Sequence, residues 1–383
     1  MKRILILSAS FGDGHNAAAR SICDAIESSG ETTSTEFLDL FEIASPRLNA
    51  VMKKAYQNIV RFAPAVWSRV FAVFDNPKLF VPQIRSMRKI RNALGEILRK
   101  TNPDVVVSTY PVYSHLIAQL FRERERCFRL ITVITDSISV CAAWFYAPSD
   151  VFVVADDATA AVLREKGVSP ERIRPLGFPV SPIFARGPEV PLATPGTGAR
   201  AKILYVINTG KSRAGHLLEH LLDIGDVELT VTTGRSDTLK ARLEHRLRKY
   251  ANRVRILGWT NQMPQLLMSH HLLIGKAGGA TVQETIAAAC PMIINQVIPG
   301  QEEGNARLIE MLGGGVVAKS MKEIPQLVQK ALVDDARQWL KWRTNLQKAS
   351  RADSAARIAE LVLQNCEKSA PTSPILEQTP ALQ

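Results

Sequence analysis

Residues 275–305 read GKAGGATVQETIAAACPMIINQVIPGQEEGN and form the most informative part of the chain. A glycine-rich turn after an apolar strand opens a helix, and a proline-led apolar strand follows that helix. A polar loop, PGQEEGN, ends the stretch. Parallel strands cannot be joined by a short turn, so strand, helix and strand in this order form the repeating unit of α/β proteins. The stretch therefore predicts part of a parallel sheet with a helix on its face.

The turn and helix of this stretch carry groups that fit a nucleotide sugar. The turn leaves main-chain N–H groups free at the N-terminus of a helix, where the helix dipole favours a diphosphate. Glu284 lies about one turn further along the helix, where its carboxylate could accept hydrogen bonds from two ribose hydroxyls. The candidate diphosphate ligands are Gly278, Gly279, Ala280 and Thr281.

The polar loop that follows is a candidate for recognising the sugar. Gln301 and Glu302 could bond the hydroxyls of a hexose, and Asn305 lies just after them. An ordinary surface loop is the alternative interpretation. The Pro299–Gly300 pair directly before Gln301 favours a turn of fixed shape, and we therefore predict a binding role.

Apolar strands alternate with helical patterns along most of the chain. Short apolar runs separated by helices are typical of parallel sheets that are covered on both faces, so the chain is predicted to be an α/β protein. The predicted strands of the first half are Arg3–Ser8, Thr35–Leu40, Asp104–Thr109, Leu130–Thr135 and Val151–Val154. Those of the second half are Ala201–Asn208, Glu228–Thr232, Arg253–Leu257, Leu272–Gly275 and Met292–Asn295.

A segment rich in Pro and Gly, residues 186–200, lacks periodicity and is typical of a linker. We therefore predict two Rossmann-like domains that face each other across a cleft. The predicted boundaries are 1–185 for the first domain, 186–200 for the linker, 201–350 for the second domain, 351–367 for a C-terminal helix and 368–383 for a disordered tail.

The composition favours a cytoplasmic protein with an anionic partner. The 383 residues carry a net charge of +12, which suggests nucleic acid, acidic lipid or a phosphorylated ligand. Five cysteines are scattered without the spacing of a zinc site, which favours a reducing compartment. The apolar run Ile4–Leu7 is too short for a signal peptide, and no apolar run is long enough to predict a transmembrane helix.

The segment from residue 46 to residue 100 is strongly basic, and only Asp75 and Glu96 oppose its Lys and Arg residues. Its aromatic residues lie among Val, Ala and Ile at roughly helical spacing, unlike the aromatics between basic residues of a nucleic-acid surface. Basic residues around an apolar aromatic stripe fit a helix that lies in a membrane interface. We predict peripheral binding to an anionic membrane surface and no nucleic acid. The stripe consists of Phe62, Trp67, Phe71 and Phe74.

The loop after the first strand allows two interpretations. Gly12-x-Gly14-x-x-Ala17 fits a relaxed dinucleotide fingerprint, with Asp39 as the acid that would bind ribose, and this predicts an oxidoreductase. Alternatively, His15 faces the cleft from the N-terminus of a helix, whose dipole lowers the imidazole pKa and keeps the ring neutral. A neutral histidine can take a proton from an attacking hydroxyl.

Together these features resemble a known family. The Gly-x-Gly-His loop, the GGAT-x-x-E helix and the PGQE-x-GN loop are similar to those of monogalactosyldiacylglycerol synthase and the bacterial diacylglycerol glucosyltransferases. These are related to the enzyme that adds N-acetylglucosamine to the lipid-linked peptidoglycan precursor. The resemblance extends to about Val317. Further matching motifs are Thr135-Asp136 followed by Trp144, Leu176–Val180, and Gly258-Trp259-Thr260-x-x-Met263.

The chain departs from the family pattern at two places. Phe11-Gly12-Asp13-Gly14 replaces the three-glycine run of the plant enzymes, and a histidine often found between the Thr-Asp pair and Trp144 is absent. Both departures lie in the half that the resemblance assigns to the acceptor, so they concern the choice of acceptor and donor more than the reaction.

The resemblance implies a GT-B fold and an inverting transfer of a hexose from a UDP-sugar to a lipid hydroxyl, without a bound metal or other cofactor. It implies that the second domain binds UDP and that the first binds the acceptor. His15 matches the histidine proposed as base, and Asp136 is the second candidate for that role. Gly12 and Gly14 form the acceptor loop. The implied donor-binding residues are Gly258, Trp259, Met263, Gly278, Gly279, Ala280, Thr281, Glu284, Gln301, Glu302 and Asn305.

From the sequence we expect a transferase that makes glycosyldiacylglycerol at the cytoplasmic face of the cell membrane. Transfer to another lipid, such as a polyprenyl-linked intermediate or a sterol-like alcohol, is the alternative within this class. The alternatives outside it are a dinucleotide-dependent oxidoreductase that uses the GDGHNA loop, a nucleotide-sugar epimerase and a non-catalytic membrane-binding protein. NAD binding without UDP binding would favour the oxidoreductase.

Overall fold

The computed structural model describes residues 1–62, 66, 70, 72–122, 125–196, 200–208 and 214–367. The side chains of residues 13, 48, 56, 57, 60–62, 333 and 334 are outside this description. By its contacts the chain forms two compact units. The first unit contains Met1–Pro182, Ile298–Gly304 and the described chain from Asp353 onward, and the second contains Ile183–Val297 and Asn305–Ala352.

The elements alternate between strand and helix through both units. The strands are β1 (Lys2–Ser8), β2 (Thr33–Asp39), β3 (Val105–Ser108), β4 (Arg129–Val133), β5 (Val151–Val153), β6 (Ile173–Arg174), β7 (Ala201–Val206), β8 (Val227–Thr232), β9 (Val254–Leu257), β10 (Leu272–Lys276), β11 (Met292–Gln296) and β12 (Gly315–Val317).

The α-helices follow the same alternation. They are α1 (Asp13–Ser28), α2 (Leu40–Ala44), α3 (Pro46–Phe62), α4 (Pro77–Ser86), α5 (Arg88–Thr101), α6 (Pro111–Leu120), α7 (Asp157–Glu165), α8 (Ile183–Arg186), α9 (Ala214–Leu222), α10 (Asp237–Arg246), α11 (Met263–Ser269), α12 (Gly279–Ala287), α13 (Glu303–Leu312), α14 (Ile324–Ala349) and α15 (Ser354–Asn365). Among the described residues, none of the helices has the length and apolar character needed to span a bilayer.

Each unit contains one six-stranded parallel sheet. The first sheet has the order β2-β1-β3-β4-β5-β6, and the second has the order β12-β11-β10-β7-β8-β9. The strand order therefore reverses between β1 and β3 in the first sheet and between β7 and β10 in the second. Loops on the two sides of such a reversal leave in opposite directions, and they open a crevice at the carboxyl edge of the sheet.

The first sheet is buried on both faces. Leu5 and Leu7 of β1 point into a core with Trp144, whereas Ile4 and Ile6 point into a separate core on the opposite face. Successive side chains of a strand face opposite sides, so a strand that is covered on both sides must be apolar at every position. This explains why the N-terminal strand reads as an unbroken apolar run.

Helix α15 completes the second of these cores. Its residues Ile358, Ala359 and Val362 are buried against the face of the first sheet that also carries α1. The helix is fixed at its start because the Ser354 hydroxyl donates to the Phe178 carbonyl oxygen. The C-terminal helix thus belongs to the first unit although it follows the second unit in sequence.

The second sheet is closed on one face by the long helix α14. Trp339 of α14 is 1% exposed, packs with Tyr205 and Ile274, and donates from Nε1 to the His271 carbonyl oxygen at 2.7 Å. A buried indole normally needs such a partner for its N–H group. This contact fixes α14 relative to the start of β10.

The predicted α/β fold class and all ten predicted strands are confirmed, with end shifts of a few residues. Strands β6 and β12, which have two and three residues, were not predicted from the sequence. Both are edge strands. A strand this short carries too few residues for an apolar periodicity to be recognised.

We expect Ile358→Ala to lower the free energy of unfolding by about 2–5 kcal/mol, because it leaves a cavity between α15 and the first sheet. The exposed Gln364 of the same helix provides the control, and Gln364→Ala should change stability by less than about 0.5 kcal/mol. Chemical denaturation monitored by circular dichroism measures both. Equal stability of the two variants would contradict the packing of α15 described above.

Candidate active site

The carboxyl edge of the first sheet brings together the loops that follow β1, β3 and β4. His15 lies in the first turn of α1 after β1, Tyr110 follows β3, and Asp136 follows β4. Parallel strands end at the same edge, so residues distant in sequence become neighbours there. Gly12 caps α1 with a φ of 101°, a conformation that glycine adopts without a steric penalty.

His15 is held by a hydroxyl group and by aromatic rings. Its Nδ1 lies 3.0 Å from Oγ1 of Thr135. Its ring packs edge-on against Tyr110, with 5.2 Å between centroids, and lies 5.9 Å from the ring of Trp144. Burial lowers the pKa of His15 to about 4, and a hydrogen bond with the Thr109 main chain opposes this shift. Burial is therefore the main cause of the lowered pKa, and the ring is neutral at pH 7.

Asp136 is a half-buried carboxyl group that is bonded to an indole. Nε1 of Trp144 donates to Oδ2 of Asp136 at 2.6 Å. Burial raises the pKa of Asp136 to about 6, and the hydrogen bond from Trp144 opposes this shift. The neighbouring Ile138 has a φ of 60°, which is rare for a β-branched residue and marks local backbone strain. The carboxyl group of Asp136 is thus mostly ionised at pH 7, but its pKa lies only about one unit lower.

His15 and Asp136 line one cavity of about 290 Å³. Trp144 also lines this cavity, although only 1% of its surface is exposed to solvent. Titratable groups that lie in apolar surroundings with strongly shifted pKa values are typical of functional sites. The other lining residues are mainly apolar or aromatic and include Phe11, Ile59, Phe74, Tyr110, Cys141 and Gln301.

The candidate ribose acid of the dinucleotide interpretation is already bonded within the protein. Oδ2 of Asp39 accepts the main-chain N–H of Ser10 at 2.9 Å and also the Ser10 hydroxyl. Oδ1 accepts the N–H of Glu42 at 3.2 Å and so caps α2. The carboxylate therefore fixes the β1–α1 loop, and nothing in this geometry favours a dinucleotide.

In the second unit, the turn before α12 presents main-chain donors. The helix begins at Gly279, and its N-cap Gly278 makes no side-chain capping hydrogen bond. The first N–H groups of a helix have no carbonyl partner within the helix. The predicted turn Gly278–Thr281 thus retains the donors that an anion requires.

Glu284 lies within α12 and has a half-buried carboxyl group. Burial raises the pKa of Glu284 to about 7, and within the described ranges no hydrogen bond or ion pair offsets this burial. An unpaired buried carboxylate is costly, because the charge loses its hydration without compensation. Such a group is typical of a position that a ligand completes.

The loop Ile298–Gly304 belongs to the first unit by its contacts, although it lies within the predicted range of the second domain. Gln301 lines the cavity of His15. Glu302 is 3% exposed, and its carboxylate accepts the N–H of Ile298 at 3.1 Å, so it shapes its own turn. Gly304 has no room for a side chain, because a Cβ atom there would collide with the Ser137 carbonyl oxygen.

Asn305 supports the turn that precedes α12. Its Nδ2 donates to the carbonyl oxygen of Ala277 at 3.1 Å, and the side chain is 3% exposed. Its Oδ1 is buried, and no partner for it is found among the described residues. The amide therefore braces the start of the predicted diphosphate turn.

Three of the predicted donor-binding residues, Gly258, Trp259 and Met263, lie between the end of β9 and the start of α11. Trp259 is 62% exposed, and the guanidinium of Arg235 lies 5.9 Å from the centre of its ring. Gly258 lies against the Gly234 carbonyl oxygen, and Met263 begins α11. Arg235, which was not predicted from the sequence, adds a cation beside an exposed aromatic ring at the carboxyl edge of the second sheet.

Comparison with known families assigns both parts of the chain. Residues 15–180 match the sequence profile of monogalactosyldiacylglycerol (MGDG) synthase, and residues 202–362 match that of the glycosyltransferase family 28 C-terminal domain. Both parts of the chain are therefore similar to glycosyltransferases. The predicted resemblance is thus confirmed, and the protein is an enzyme of the hexosyltransferase type.

Individual relatives agree with this assignment. A processive diacylglycerol beta-glucosyltransferase of Bacillus cytotoxicus is 26% identical over 99% of this chain and 97% of that protein. The structure of Acinetobacter baumannii MurG has a TM-score of 0.59 at 13% identity, covering 94% of this chain and 99% of that one. The structure of a UDP-N-acetylglucosamine 2-epimerase has a TM-score of 0.60 at 12% identity, covering 97% and 99%. These structures confirm the predicted GT-B fold, and the family profiles separate the transferase from the epimerase.

Two contacts of His15 in this glycosyltransferase were not predicted. Thr135 was noted only as part of a motif, and Tyr110 was not singled out. Thr135 is separated from His15 by 120 residues. Their position in the sequence could have identified both residues, because Thr135 and Tyr110 each lie at or just after the carboxyl end of a predicted strand.

The cysteine in the cavity lacks the character of a nucleophile. All five cysteines are unpaired, and burial raises the pKa of Cys141 far above its usual range, so its thiol stays protonated. In the described part of the chain, three or more His, Cys, Asp or Glu side chains do not gather into a group that could hold a metal ion.

The basic segment 46–100 is only partly described. Phe74, a member of the predicted aromatic stripe, lines the cavity of His15. Other apolar side chains of the segment face solvent: Val51 of α3 is 65% exposed and Leu79 of α4 is 51% exposed. Trp67, Arg69 and Phe71 lie outside the described residues, as do the side chains of Arg61 and Phe62.

Proposed function

We propose that this glycosyltransferase moves a hexose from a UDP-sugar to the hydroxyl of diacylglycerol, with inversion at the anomeric carbon and without a bound metal. The observation that carries the proposal is the cavity in which His15 and Asp136 lie among apolar and aromatic side chains. An apolar acceptor fits such a cavity, and its hydroxyl would meet the two titratable groups. The name of the Bacillus cytotoxicus relative supports diacylglycerol as the acceptor.

The second unit would hold the donor. The uncapped N-terminus of α12 fits the diphosphate, and the half-buried carboxylate of Glu284 fits the ribose hydroxyls. As the glycosidic bond breaks, charge grows on the departing diphosphate, and each fixed N–H donor can stabilise such charge by about 3 kcal/mol. The helix can therefore supply the stabilisation for which other enzymes use a metal ion. Gln301 lies on the cavity of His15, which supports its assignment to the hexose.

Asp136 is the better candidate for the general base. The acceptor oxygen bonds to C1 of the hexose, the bond from C1 to UDP breaks, and the hydroxyl proton must pass to a protein group. A base works best when its pKa lies near the working pH. Asp136, with a pKa of about 6, meets this condition better than His15, whose pKa is about 4. His15, neutral and fixed by Thr135, would orient the acceptor hydroxyl.

The enzyme would work at the cytoplasmic face of the cell membrane. Basic residues and exposed apolar side chains occur together on α3 and α4, where Lys54 and Val51 face solvent. Each basic residue near an anionic leaflet contributes roughly 1 kcal/mol to binding. The segment 46–100 would thus bring the acceptor cavity to its lipid substrate.

The function is tested by incubating the purified protein with vesicles that contain diacylglycerol and with each UDP-hexose in turn. We expect a glycosyldiacylglycerol, identified by mass spectrometry, with one of the UDP-hexoses. The Asp136→Asn variant serves as the control, since it should bind UDP with unchanged affinity but give no product. A product only with polyprenyl phosphate or a sterol in place of diacylglycerol would overturn the proposed acceptor.

The role of Glu284 predicts that donor binding depends on pH. The pKa of Glu284 is raised to about 7, so the carboxyl group is ionised above pH 7 and protonated below it. Only the ionised form accepts from both ribose hydroxyls, so lowering the pH from 8 to 6 should weaken binding of a UDP-hexose by about tenfold. Titration calorimetry measures this, and Glu284→Gln should bind more weakly without the pH dependence. A pH-independent wild-type affinity would contradict the assignment.

The role of Asp136 predicts a separate pH effect on turnover. At saturating donor, kcat/KM for the acceptor should fall below pH 6 by about tenfold per pH unit, because the protonated carboxyl cannot accept the proton. His15→Asn should lower kcat/KM while keeping this acidic limb. Loss of the limb in His15→Asn would make His15 the base instead.

A further inference from the structure

The segment that carries Trp144 is a single turn of 3₁₀ helix, Ala142–Trp144, between β4 and β5. Its N-cap residue, Cys141, makes no side-chain capping hydrogen bond. A single turn has few hydrogen bonds of its own, because its first N–H groups and its last carbonyl groups have no partner within it. This 3₁₀ turn therefore depends on contacts from other elements to fix the side chain that it presents.

Asp75, which lies just before α4, makes the first of these contacts. Its Oδ1 accepts the main-chain N–H of Ala142 at 3.0 Å, across 67 positions of sequence. This is the bond that an N-cap aspartate makes to the start of its own helix, but here the carboxylate comes from another part of the chain. Asp75 is itself exposed, so a substitution there removes the bond with little loss of packing.

His115 of α6 makes the second contact. Its Nε2 lies 2.9 Å from the carbonyl oxygen of Ala143, and because a carbonyl only accepts, Nε2 carries the proton. Burial lowers the pKa of His115 to about 4, and the bond to Ala143 opposes this shift, so the ring is neutral at pH 7. The ring packs edge-on against Phe80, with 5.1 Å between centroids, and stacks on Tyr146 at 6.5 Å. The donor is thus held in one place.

Both contacts act on the main chain directly before Trp144. The indole Nε1 of Trp144 donates to Oδ2 of Asp136 at 2.6 Å. A shift of the 3₁₀ turn by about 1 Å would stretch this bond beyond hydrogen-bond range. The bond opposes the effect of burial on the pKa of Asp136, so the position of the turn affects the ionisation of that carboxyl group.

We propose that Asp75 and His115 are positioning residues of the transfer reaction. By fixing the 3₁₀ turn, they keep the indole of Trp144 bonded to Asp136. Neither Asp75 nor His115 lines the cavity of His15, so each acts on the reaction only through the turn. The proposal rests on the proposed function in one respect, the assignment of Asp136 as the base.

The titratable groups around Asp136 make the role of Asp75 testable by its sign. His15 and Tyr110 line the same cavity, and Cys141 lies close to both carboxyl groups, since Asp136 and Asp75 each raise its pKa. His15 is neutral and the thiol of Cys141 is protonated at pH 7. The negative charge of Asp75 can only raise the pKa of Asp136, so loss of that charge would lower it. Loss of the indole bond would instead raise it.

A pair of variants at position 75 separates the two effects. Asp75→Ala removes the acceptor, whereas Asp75→Asn keeps an acceptor oxygen and removes only the charge. The indole N–H resonance of Trp144, assigned with Trp144→Phe, is followed by NMR from about pH 5 to about pH 9. The wild type should show a step near pH 6 as Asp136 ionises. Asp75→Ala should show a smaller step about one pH unit higher, and Asp75→Asn a step at or slightly below the wild-type midpoint.

The same variants are compared in the transfer reaction. In Asp75→Ala the acidic limb of kcat/KM for the acceptor should move up by about one pH unit. The rate should then fall about fivefold at pH 6 and stay within about twofold of the wild type at pH 8. A residue that serves only stability would lower the rate equally at both pH values.

Two variants test the second contact. His115→Leu and His115→Gln both remove the stacked ring, but only glutamine keeps an N–H donor at a similar reach. His115→Leu should shift the indole step and the acidic limb as Asp75→Ala does, and His115→Gln should return both toward the wild type. Asn76→Ala is the matched control, because Asn76 accepts the N–H of Lys78 at 3.0 Å and so caps α4 without touching the 3₁₀ turn. It should leave both pH profiles unchanged.

An indole step that keeps its wild-type midpoint in Asp75→Ala would refute the positioning role, as would equal shifts in Asp75→Ala and Asn76→Ala. A shifted indole step with an unshifted acidic limb would support the contact with Trp144 and count against Asp136 as the base. The NMR measurement requires neither donor nor acceptor, so it tests the positioning of Trp144 even if no glycosyl transfer is found. Thermal melting confirms that each variant is folded.

Discussion

The strands of both sheets run parallel, and the remaining features of the molecule follow from this constraint. Main-chain groups within the sheets are bonded to neighbouring strands, and the central strands of the first sheet are covered on both faces and are mainly apolar. The polar groups of the candidate site therefore lie beyond the carboxyl ends of the strands, in loops or in the helices that follow. In the first sheet the order reverses between β1 and β3, and the loops there deliver His15 and Tyr110 to one place, with Asp136 from the next strand.

Burial, more than pairing with opposite charges, determines the pKa values of the titratable groups at the carboxyl edges of the sheets. It is the largest cause of the shift at His15, Asp136 and Glu284, and in each case it favours the neutral form. For a carboxyl group, a structural role would favour an ion pair or full exposure, because an unpaired buried charge is costly. Asp136 and Glu284, at the carboxyl edges of the two sheets, therefore indicate sites that substrates complete.

The sequence predicted the architecture and the candidate site residues. It did not predict the hydrogen-bond partners of those residues. Short, mainly apolar runs that alternate with helical patterns identified ten strands. The short edge strands β6 and β12 lack such a run. Asp39 matched a ribose acid by its position, but its bonds to the Ser10 backbone and hydroxyl depend on the fold of the loop. The contact of His15 with Thr135 crosses 120 residues, and no local pattern contains it.

Trp144 shows how packing and chemistry meet in one side chain. Its indole is 1% exposed and belongs to the core of the first unit, so its position is fixed by the same contacts that stabilise the fold. That fixed indole donates to Asp136 at 2.6 Å and opposes the effect of burial on the carboxyl group. Without the indole bond, burial alone would raise the pKa of Asp136 further and leave less of the ionised base at pH 7. The pKa of Asp136 thus depends on the packing of the core that holds Trp144. The position of Trp144 requires a side chain that is large and apolar and also carries one N–H donor.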